Sequence, residues 1–530
     1  MWLHLSVRLL PLLPVHGRSD RHDDRREHDD AAVATGDLTV GALPAARPRP
    51  SPPDRPFLVA GFGRAGIAAA YALSAHGNGG AVTVWDGSPT PVGAPFASAL
   101  RGRGVDIVLG DDGVAVLDRD PAPRTVIVSP GLPDDLPLLQ ACRARDLTVL
   151  DEAELAWRRD RRPWVGVTGT NGKSTTTRLV AAVLAANGVT PVLGGNTHAA
   201  LPLSALAGTA GDVVVAELSS FQLDRSDSLV PEAGVLTNIG RDHLDRHRTR
   251  DRYAAAKATM FLRDGAHAYH AAIGIDDEYG PGIAQQLRDR GANVVTFGAM
   301  PTADVSARAV DWDLHTATVE LVVAGAIRSL RTLLPGPHNA GNVAGAIALA
   351  QVLELDLEVA ADAVATTPPL PGRFQHVPLG DHVDGVVDFA KNATGVAAAL
   401  ATARHVAAKR GGRVVTVLSA VPSADPTGLR AMGVAAARGA DRLFVTSDRT
   451  SPEVRGAPDP ELVRGARSGA ATVEVIPDRP TALAAAVAAA TPGDVVVVVG
   501  RPPGPLPWCA PDGTVTPFDD VSQLRRLVPA

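Results

Sequence analysis

The chain has 530 residues, a length that predicts two to four domains rather than one hydrophobic core. With 45% hydrophobic and 20% charged residues it has the composition of a globular protein, and its net charge of −6 gives no basis for binding nucleic acid. The two cysteines, Cys142 and Cys509, form no CxxC pair, which excludes a disulfide framework and a four-cysteine zinc site, and no apolar stretch approaches the ~20 residues of a membrane span.

The first segment, residues 1–56, differs from the rest of the chain. Residues 18–30 are almost all charged, and residues 42–56 are rich in proline and arginine. The apolar run over residues 1–15 is interrupted by an arginine and two prolines and is not followed by a clean small-residue cleavage site, which disfavours a signal peptide. We therefore predict that residues 1–56 form a disordered leader.

Globular sequence begins at Phe57, where a short apolar strand runs into the turn GFGRAG and then into a helical stretch. The next predicted strand ends at Asp86, about twenty residues further on. A strand, a GxGxxG turn, a helix and an acidic residue at this spacing form the dinucleotide-binding fingerprint. The pattern predicts a Rossmann-like domain over residues 57–160, but the same turn can hold any nucleotide or diphosphate and so does not establish NAD.

A second glycine-rich turn lies in WVGVTGTNGKSTTT, residues 164–177. A buried strand, a turn and a helix follow one another here, as in a phosphate loop, where backbone N–H groups and a helix N-terminus face the anion. Lys173 would reach the outer phosphates and the Ser174 hydroxyl would bind Mg²⁺. Five residues separate Gly166 from Gly172, one more than in the simplest pattern, and the alternative is an ordinary strand-to-helix turn.

Three polar positions follow in the same predicted domain, residues 161–369. Glu217 ends an apolar strand, where a parallel sheet presents ligands. The segment TNIGRDHLDRH, which contains His243, offers oxygen and imidazole ligands, although it could be a polar surface turn. Lys257 lies in an alanine-rich helix, and the residue pattern alone favours a solvated lysine there.

The segment LPGPHNAGN carries Asn339 and Asn342 at the start of a helix, where they could be simple caps or could face a ligand. The last part of the chain, residues 370–530, again alternates strands and helices but has no phosphate loop of its own. We therefore predict an α/β protein of three domains: an N-terminal Rossmann-like domain, a central P-loop ATPase domain with a parallel sheet, and a C-terminal Rossmann-like domain.

Several of these segments occur together and in a fixed order, namely GVTGTNGKSTT, ELSSFQLD, TNIGRDHLDRH, YAAAKATMF, LPGPHNAGN and LPGRFQ. In this respect the chain resembles the Mur ligase family, the ATP-dependent amino-acid ligases of peptidoglycan synthesis, over about residues 57–500. The N-terminal GxGxxG with Asp86, SPG at residues 129–131, EAELAW and ELSSFQL are most similar to the branch that adds D-glutamate to UDP-N-acetylmuramoyl-L-alanine.

The C-terminal domain departs from that branch. Its DFAKNATG, residues 388–395, is more similar to DYAHNPAG of cyanophycin synthetase and to the DYAH segment of the diaminopimelate- or lysine-adding ligase. VVVVGRPPGPLPW, residues 496–508, stands where the D-glutamate branch has an SPA-type turn, and VLSAVPSADP, residues 417–426, replaces its GGxxK segment. An alternative is therefore a paralogous ligase for a different amino acid or acceptor.

The resemblance implies a reaction through an acyl phosphate, with ATP and Mg²⁺, and it implies a role for each matching residue. The catalytic residues would be Lys173, His243 and Lys257, the last as a carbamylated lysine, which reverses the solvated interpretation. The nucleotide would be held by Gly169, Thr170, Asn171, Gly172, Lys173, Ser174, Thr175, Asn339, Asn342, Arg373 and Asp388. The UDP-muramoyl substrate and the amino acid would be held by Gly63, Asp86, Gly131, Asn196, Ser219 and Lys391. The metal ligands would be Ser174, Glu217, His243 and Lys257.

The resemblance also implies a cytoplasmic, monomeric enzyme whose partners are small molecules, with neither nucleic acid nor membrane insertion. The C-terminal domain would close on ATP about a hinge near residues 368–372. Two other classes of function are less consistent with the residues. A non-catalytic nucleotide-binding protein has no need of two metal positions, and an NAD-dependent dehydrogenase leaves the phosphate loop unexplained.

Overall fold

The structure is a computed structural model that describes residues 43–75, 81–89, 92–197, 200–421, 425–448, 456–510 and 514–528. It contains three large sheets that follow one another along the chain. Each sheet is mostly parallel and each provides one wall of the site described below.

The first sheet has five parallel strands in the order β3-β2-β1-β4-β5. The strands are β1 (Phe57–Ala60), β2 (Val82–Asp86), β3 (Asp106–Leu109), β4 (Thr125–Val128) and β5 (Thr148–Asp151). The helices around it are α1 (Arg64–Ser74), α2 (Ala97–Arg101), α3 (Pro137–Ala144) and α4 (Glu152–Arg159), with 3₁₀ turns at Ala94–Phe96 and Val114–Asp118. The strand order reverses between β1 and β4, so the turns after these two strands meet at the carboxyl edge, where ligands bind in open α/β sheets.

The central sheet has nine strands in the order β16-β15-β14-β13-β12-β9-β6-β8-β7. The strands are β6 (Trp164–Thr168), β7 (Pro191–Gly195), β8 (Val213–Glu217), β9 (Ala233–Leu236), β12 (His270–Gly274), β13 (Asn293–Gly298), β14 (Val305–Trp312), β15 (Ala317–Val323) and β16 (Ala326–Thr332), with the small hairpin β10 (Leu262–Arg263) and β11 (Ala266–His267) beside it. Only the pairs β14–β15 and β15–β16 within it are antiparallel.

The helices of the central domain are α5 (Lys173–Ala186), α6 (Ser220–Asp224), α7 (Leu244–His247), α8 (Arg250–Ala258), α9 (Gly280–Asp289), α10 (His338–Val352) and α11 (Leu357–Thr366), with a 3₁₀ turn at Leu203–Leu206. The core lies on both faces of the sheet. In β6, Val165 and Val167 pack into the cluster on one face and Trp164 into the cluster on the other, as the two-residue period of a strand requires. The strand order reverses at β6, which places the turn after β6 at a switch point.

The last sheet has six strands in the order β17-β18-β22-β19-β20-β21, of which only β17–β18 is antiparallel. The strands are β17 (Gln375–Pro378), β18 (Asp384–Asp388), β19 (Val414–Leu418), β20 (Arg442–Val445), β21 (Thr472–Val475) and β22 (Val495–Val499), and β23 (Leu506–Cys509) and β24 (Val515–Phe518) form a separate hairpin. The helices are α12 (Ala393–Lys409), α13 (Pro426–Gly439), α14 (Pro460–Ala466), α15 (Arg479–Ala489) and α16 (Asp520–Arg526).

The predicted fold class is confirmed, since three largely parallel α/β units follow one another in the predicted order. The predicted leader, in contrast, fails over residues 43–56, because Arg49 is buried in an ion pair with Glu232. Residues 1–42 lie outside the described part of the chain. Within the described residues, none of the helices combines the length and the apolar character needed to cross a bilayer.

Candidate functional site

The phosphate loop joins β6 to α5 and consists of residues 169–172. At two positions of the loop, both the backbone conformation and the lack of room for a Cβ atom require glycine. Gly169 has φ +146°, and a Cβ there would lie 1.9 Å from Thr237 Oγ1; Gly172 has φ +83°, and a Cβ there would lie 2.1 Å from Asn342 Oδ1. The loop is thus held tightly between the segments that carry Thr237 and Asn342, with the N-terminus of α5 next to it.

A cavity of about 510 Å³ lies over this loop, and all three domains line it. Pro130 and Gly131, from the turn after β4, form the wall of the first domain. Lys391 and Thr394, at the start of α12, form the wall of the last. The residues predicted from the sequence that line it are Gly131, Thr170, Asn171, Gly172, Lys173, Ser174, Thr175, Asn196, Glu217, Ser219, His243, Lys257, Asn339, Asn342, Arg373, Asp388 and Lys391.

Three predicted residues do not line the cavity. Gly169 is the first residue of the loop, and its carbonyl accepts a hydrogen bond from Lys257. Gly63 and Asp86 remain in the first domain, outside the residues that line the cavity. Both carboxylate oxygens of Asp86 already accept backbone N–H groups, from Phe62 at 2.7 Å and from Ser88 at 2.9 Å. Asp86 thus ties the glycine-rich turn after β1 to the turn that follows β2.

Lys173 begins α5, and its Nζ donates to the carbonyl of Thr170 at 3.0 Å. Burial lowers its pKa to about 8, against the opposing effect of the neighbouring Glu217. Burial raises the pKa of Glu217, which is 2% exposed. Its Oε2 is buried and has no hydrogen-bond partner among the described residues. A desolvated cation and an unsatisfied carboxylate oxygen thus lie side by side at the phosphate loop.

These donors fit a hard cation. The Ser174 hydroxyl and the free oxygen of Glu217 are oxygen ligands, the type that Mg²⁺ takes together with waters and substrate phosphates. No group of three or more His, Cys, Asp or Glu side chains that could hold a metal occurs among the described residues, so a fully protein-made cage is not available in that part of the chain. The Ser174 hydroxyl also accepts a hydrogen bond from Arg373 at 3.2 Å.

His243 lies at the domain boundary, in a left-handed conformation with φ +53° just before α7. Burial and the adjacent Lys391 lower the pKa of His243 to about 3, so its ring is neutral and Nε2 can accept a hydrogen bond from Lys391 Nζ at 2.9 Å. Phe221 packs edge-on against the ring, with centroids 4.7 Å apart. His243, a predicted metal ligand, thus lines the cavity, and its Nε2 is hydrogen-bonded to Lys391 of the last domain.

Lys257 is not a solvated lysine: it is 1% exposed, and its Nζ donates to the carbonyl of Gly169 at 2.6 Å. The interpretation from the residue pattern is wrong because an alanine-rich helix gives no periodic signal for its buried face. Burial lowers the pKa of Lys257 well below its usual range, and nearby Lys173 adds to this effect. Burial therefore favours the uncharged form of this amine, which lies next to the phosphate loop.

Another part of the cavity wall is formed by α10 and by the segment before β17. Asn342 donates to Asn339 Oδ1 at 2.8 Å, so the two amides act as one unit rather than as helix caps. Asp388 accepts the backbone N–H of Phe374 at 2.7 Å, and the Arg373 guanidinium lies 5.3 Å from the centre of the Phe389 ring. These contacts join the segment before β17 to the end of β18, just after the predicted hinge.

Two residues that contribute to the site were not singled out from the sequence. Asn392 donates to Asn171 Oδ1 at 3.0 Å and to Asp242 Oδ2 at 3.3 Å, which ties the last domain to the phosphate loop. The Tyr253 hydroxyl lies 3.2 Å from Thr170 Oγ1. A usable signal existed for the tyrosine, since residues 253 and 257 are four apart on one helix and so share a face.

Comparison with known proteins agrees with this geometry. The family model of the Mur ligase middle domain matches residues 167–350, and that of the Mur ligase, glutamate ligase domain matches residues 372–501. A relative named UDP-N-acetylmuramoylalanine–D-glutamate ligase, from Gloeothece citriformis, is 33% identical over 335 residues, which is 62% of this chain and 72% of the relative. A protein of the same name from Caulobacter vibrioides is 36% identical over 343 residues, 61% of this chain and 68% of its own.

A solved structure supports the fold. The UDP-N-acetylmuramate-alanine ligase of Thermotoga maritima superposes with a TM-score of 0.58 at 20% sequence identity, over 90% of this chain and 98% of its own. Two findings decide the assignment. One is the extent of the match to the curated relatives, and the other is the match of the two family models to the domains that hold the phosphate loop and Lys391. The chain therefore belongs to the Mur ligase family.

Proposed function

We propose that the protein is an ATP-dependent ligase that joins an amino acid, D-glutamate first among them, to the carboxylate of a UDP-N-acetylmuramoyl-L-alanine-type acceptor. The observation that supports this is the single cavity lined by Gly131, Lys173 and Lys391, one residue from each domain. Such a cavity brings side chains of all three domains to one place, where the reacting groups of an acceptor, a nucleotide and an amine could meet. The proposal puts the reaction in peptidoglycan synthesis, in the cytoplasm, with a monomeric enzyme.

The reaction proceeds in two steps. A carboxylate oxygen of the acceptor attacks the γ-phosphorus of ATP, the bond to the β-phosphate oxygen breaks, and ADP leaves an acyl phosphate. The amine of the amino acid then attacks the acyl carbon, loses a proton, and expels inorganic phosphate as the amide forms. Both steps bring negative groups together, so the main requirement is electrostatic stabilisation.

The residues of the chain supply that stabilisation from two sides. Lys173 and the backbone N–H groups of the phosphate loop would face the β- and γ-phosphates of ATP. Lys391 approaches the same region from the last domain, with its ammonium 3.7 Å from Asp242. Asn339, Asn342 and Arg373 would hold the nucleoside end, and Asn196 and Ser219 would lie along the acceptor. Because these groups come from different domains, the site is complete only when the domains are closed.

Mg²⁺, when bound, would neutralise phosphate charge and polarise the γ-phosphoryl group. Ser174 and Glu217 are the residues that would hold it, and His243 and Lys257 would serve a second ion. We propose that Lys257 is carbamylated: its unprotonated amine attacks CO₂, a C–N bond forms, a proton leaves the nitrogen, and an oxygen-donor anion stands where the amine was. The burial of Lys257 supports this, because it lowers the pKa of the amine and so favours the unprotonated, nucleophilic form.

A second candidate keeps the ligase chemistry and changes the amino acid. It is favoured by the segment after β22, where Arg501 is buried in an ion pair with Asp448 and also donates to the carbonyls of Leu506 and Pro507 at 3.1 and 3.0 Å. Both terminal nitrogens of this guanidinium are occupied inside the domain, while its Nε has no hydrogen-bond partner among the described residues. The segment at residues 496–508, which stands where the D-glutamate branch has an SPA-type turn, is thus held by Arg501.

The test is ATP-dependent phosphate release, measured with UDP-N-acetylmuramoyl-L-alanine and related acceptors against a panel of D- and L-amino acids. We expect release that requires both an acceptor and an amino acid, with D-glutamate giving the highest kcat/KM. A different preferred amino acid supports the second candidate. Phosphate release that requires neither an acceptor nor an amino acid contradicts both candidate functions.

A further inference from the structure

The segment that precedes β1 crosses from the central domain to the first. We refer to residues 43–56 as the strap. Leu43, at its beginning, packs against the core of the central domain. At its other end, the carbonyl of Asp54 accepts the Thr125 hydroxyl at 2.8 Å and the carbonyl of Pro56 accepts the backbone N–H of Arg124 at 2.8 Å. The strap is therefore a second segment of chain that passes between the two domains, joined covalently to the first and packed noncovalently on the central one, in addition to the linker at residues 160–163.

Arg49 anchors the strap. Its guanidinium donates to both oxygens of Glu232, at 2.7 and 3.2 Å, and stacks over Trp157 of α4 at 3.2 Å from the ring centre. The side chains of Arg49 and Glu232 are both fully buried. A planar guanidinium that binds a carboxylate through two hydrogen bonds and stacks on an aromatic ring fixes both position and orientation.

The same anchor also holds the linker. Arg49 donates to the carbonyl of Arg162 at 3.0 Å, and Glu232 Oε2 accepts the backbone N–H of Trp164 at 2.7 Å. Trp164 is the first residue of β6, the strand that leads into the phosphate loop. The strap, the linker and the start of β6 are thus tied together at one buried ion pair.

We propose that Arg49 is a positioning residue: through Glu232 it fixes the first domain against the phosphate loop, so that an acceptor bound to the first domain presents its carboxylate at the correct place. The two domains also touch through side chains, as in the ion pair of Arg225 with Asp134, and the strap adds to these contacts a crossing that is tied to the linker at one point. The part of the inference that concerns the acceptor rests on the proposed function. The part that concerns domain orientation does not.

Domain orientation is tested with spin labels on Ser98→Cys in α2 and Gln286→Cys in α9, both exposed positions. The native cysteines, Cys142 and Cys509, are buried. We expect one narrow distance distribution in the parent protein, a broader or shifted one in Arg49→Met, and the parent distribution in Arg308→Met, which removes an exposed arginine of the central domain. The parent distribution in Arg49→Met would overturn the proposal.

Removing one partner of a buried ion pair can prevent folding, because the other charge remains unpaired. The double variant Arg49→Met/Glu232→Gln avoids this, since neither position then carries a charge. Met keeps apolar contact with Trp157, and Gln keeps an oxygen for the Trp164 N–H. This variant should fold and should still show the broadened distribution. If its distribution is that of the parent protein, the proposal is wrong.

If Arg49 positions the first domain, its loss should change the kinetic constants for the acceptor and not those for ATP. We expect kcat/KM for the acceptor to fall at least about tenfold in the double variant, because a misplacement of about 1 Å can cost about 100-fold in rate. The Kd for ATP should be unchanged, since the phosphate loop lies within the central domain, and Arg49→Lys should recover part of the loss. Equal acceptor and ATP effects would overturn the positioning role. If no acceptor is turned over by the parent protein, the proposed function fails, and the distance measurement alone decides on the strap.

Discussion

The ammonium of Lys391 lies 2.9 Å from Nε2 of His243, across the boundary between the last and central domains. The two residues are 148 positions apart in the sequence. The hydrogen bond requires a neutral imidazole, and burial together with Lys391 itself lowers the pKa of His243 to about 3. The contact therefore closes the cavity with a cation that faces the phosphate loop.

Lys391→Met should lower the rate of phosphate release at saturating substrates by about 100-fold or more, the cost of removing one donor to developing charge. The methionine keeps the length of the side chain but has no cation to stabilise the transferred phosphoryl group. The Kd for ATP should change far less, because the phosphate loop is intact. A stopped-flow phosphate sensor and equilibrium nucleotide binding measure the two quantities.

The matched control is Arg438→Met, which removes an exposed cation from α13 of the same domain. It should have the parental rate. A Lys391→Met protein with the parental rate would show that the contact with His243 only packs the domains.

Lys173→Ala should abolish turnover and leave the protein folded. Its Nζ faces the cavity and bonds only a turn carbonyl in the described structure, so the core loses nothing when the side chain is shortened. We expect no detectable ATP-dependent ligation and a thermal midpoint close to that of the parent protein. Ligation near the parental rate would refute the assignment of the phosphate loop.

The sequence predicted the phosphate loop and the fold class well, because both depend on local patterns. In residues 164–177, the apolar strand, the glycines and the helix start are adjacent, and their positions follow from backbone conformation alone. Parallel sheets likewise follow from alternating strands and helices. Lys173, Ser174 and Glu217 could therefore be placed at the cavity from the residue pattern alone.

Long-range partners could not be predicted. Arg49 lies in a stretch whose proline and arginine content is typical of disorder, and its partner Glu232 is 183 residues away. Nothing local distinguishes a buried, paired arginine from a solvated one. The environment of Asp86 was also missed, because its spacing from the glycine turn is the same whether its carboxylate faces a ligand or backbone N–H groups.

Lys257→Ala should be nearly inactive, and Lys257→Arg should not restore activity. If the lysine acts as a carbamate, its function depends on a negatively charged oxygen ligand that neither alanine nor arginine can form. A short-chain carboxylic acid added to Lys257→Ala should restore part of the activity, because the carboxylate can occupy the space left by the carbamate. The measurement is initial rate against acid concentration.

A purely structural lysine gives a different pattern. Nζ donates to the Gly169 carbonyl, so loss of that bond alone would lower stability in Lys257→Ala without any rescue by acid. The same acid series on Lys173→Ala is the control and should show no recovery. Parental activity in Lys257→Arg would reject the carbamate.

Asp151 and Glu152, at the junction of β5 and α4, are adjacent carboxyl groups buried between the first and central domains. Glu152 accepts the backbone N–H of Ser204 from the central domain, and Asp151 Oδ1 accepts the N–H of Ala153 as the cap of α4. Asp151 Oδ2 has no partner among the described residues. Burial raises the pKa of Asp151 to about 7 and that of Glu152 to about 7.

These raised pKa values predict how stability depends on pH. In the unfolded chain both groups ionise near pH 4, whereas in the folded protein they keep their protons until about pH 7. The two protonated groups contribute their full stability below about pH 4. That contribution is lost as the pH rises to about 7, with a slope of up to about 1.4 kcal/mol per pH unit for each group, and the free energy of unfolding then stays constant with respect to these groups.

Asp151→Asn and Glu152→Gln, which cannot ionise, should therefore gain stability relative to the parent protein as the pH rises from 5 to 7. The urea midpoint, measured across this range, tests this, with the exposed Asp118→Asn as a control whose difference from the parent should not follow that trend. A parallel pH profile for the parent and both buried-site variants would contradict the prediction and show that the two carboxyl groups are ionised in the folded protein throughout this range.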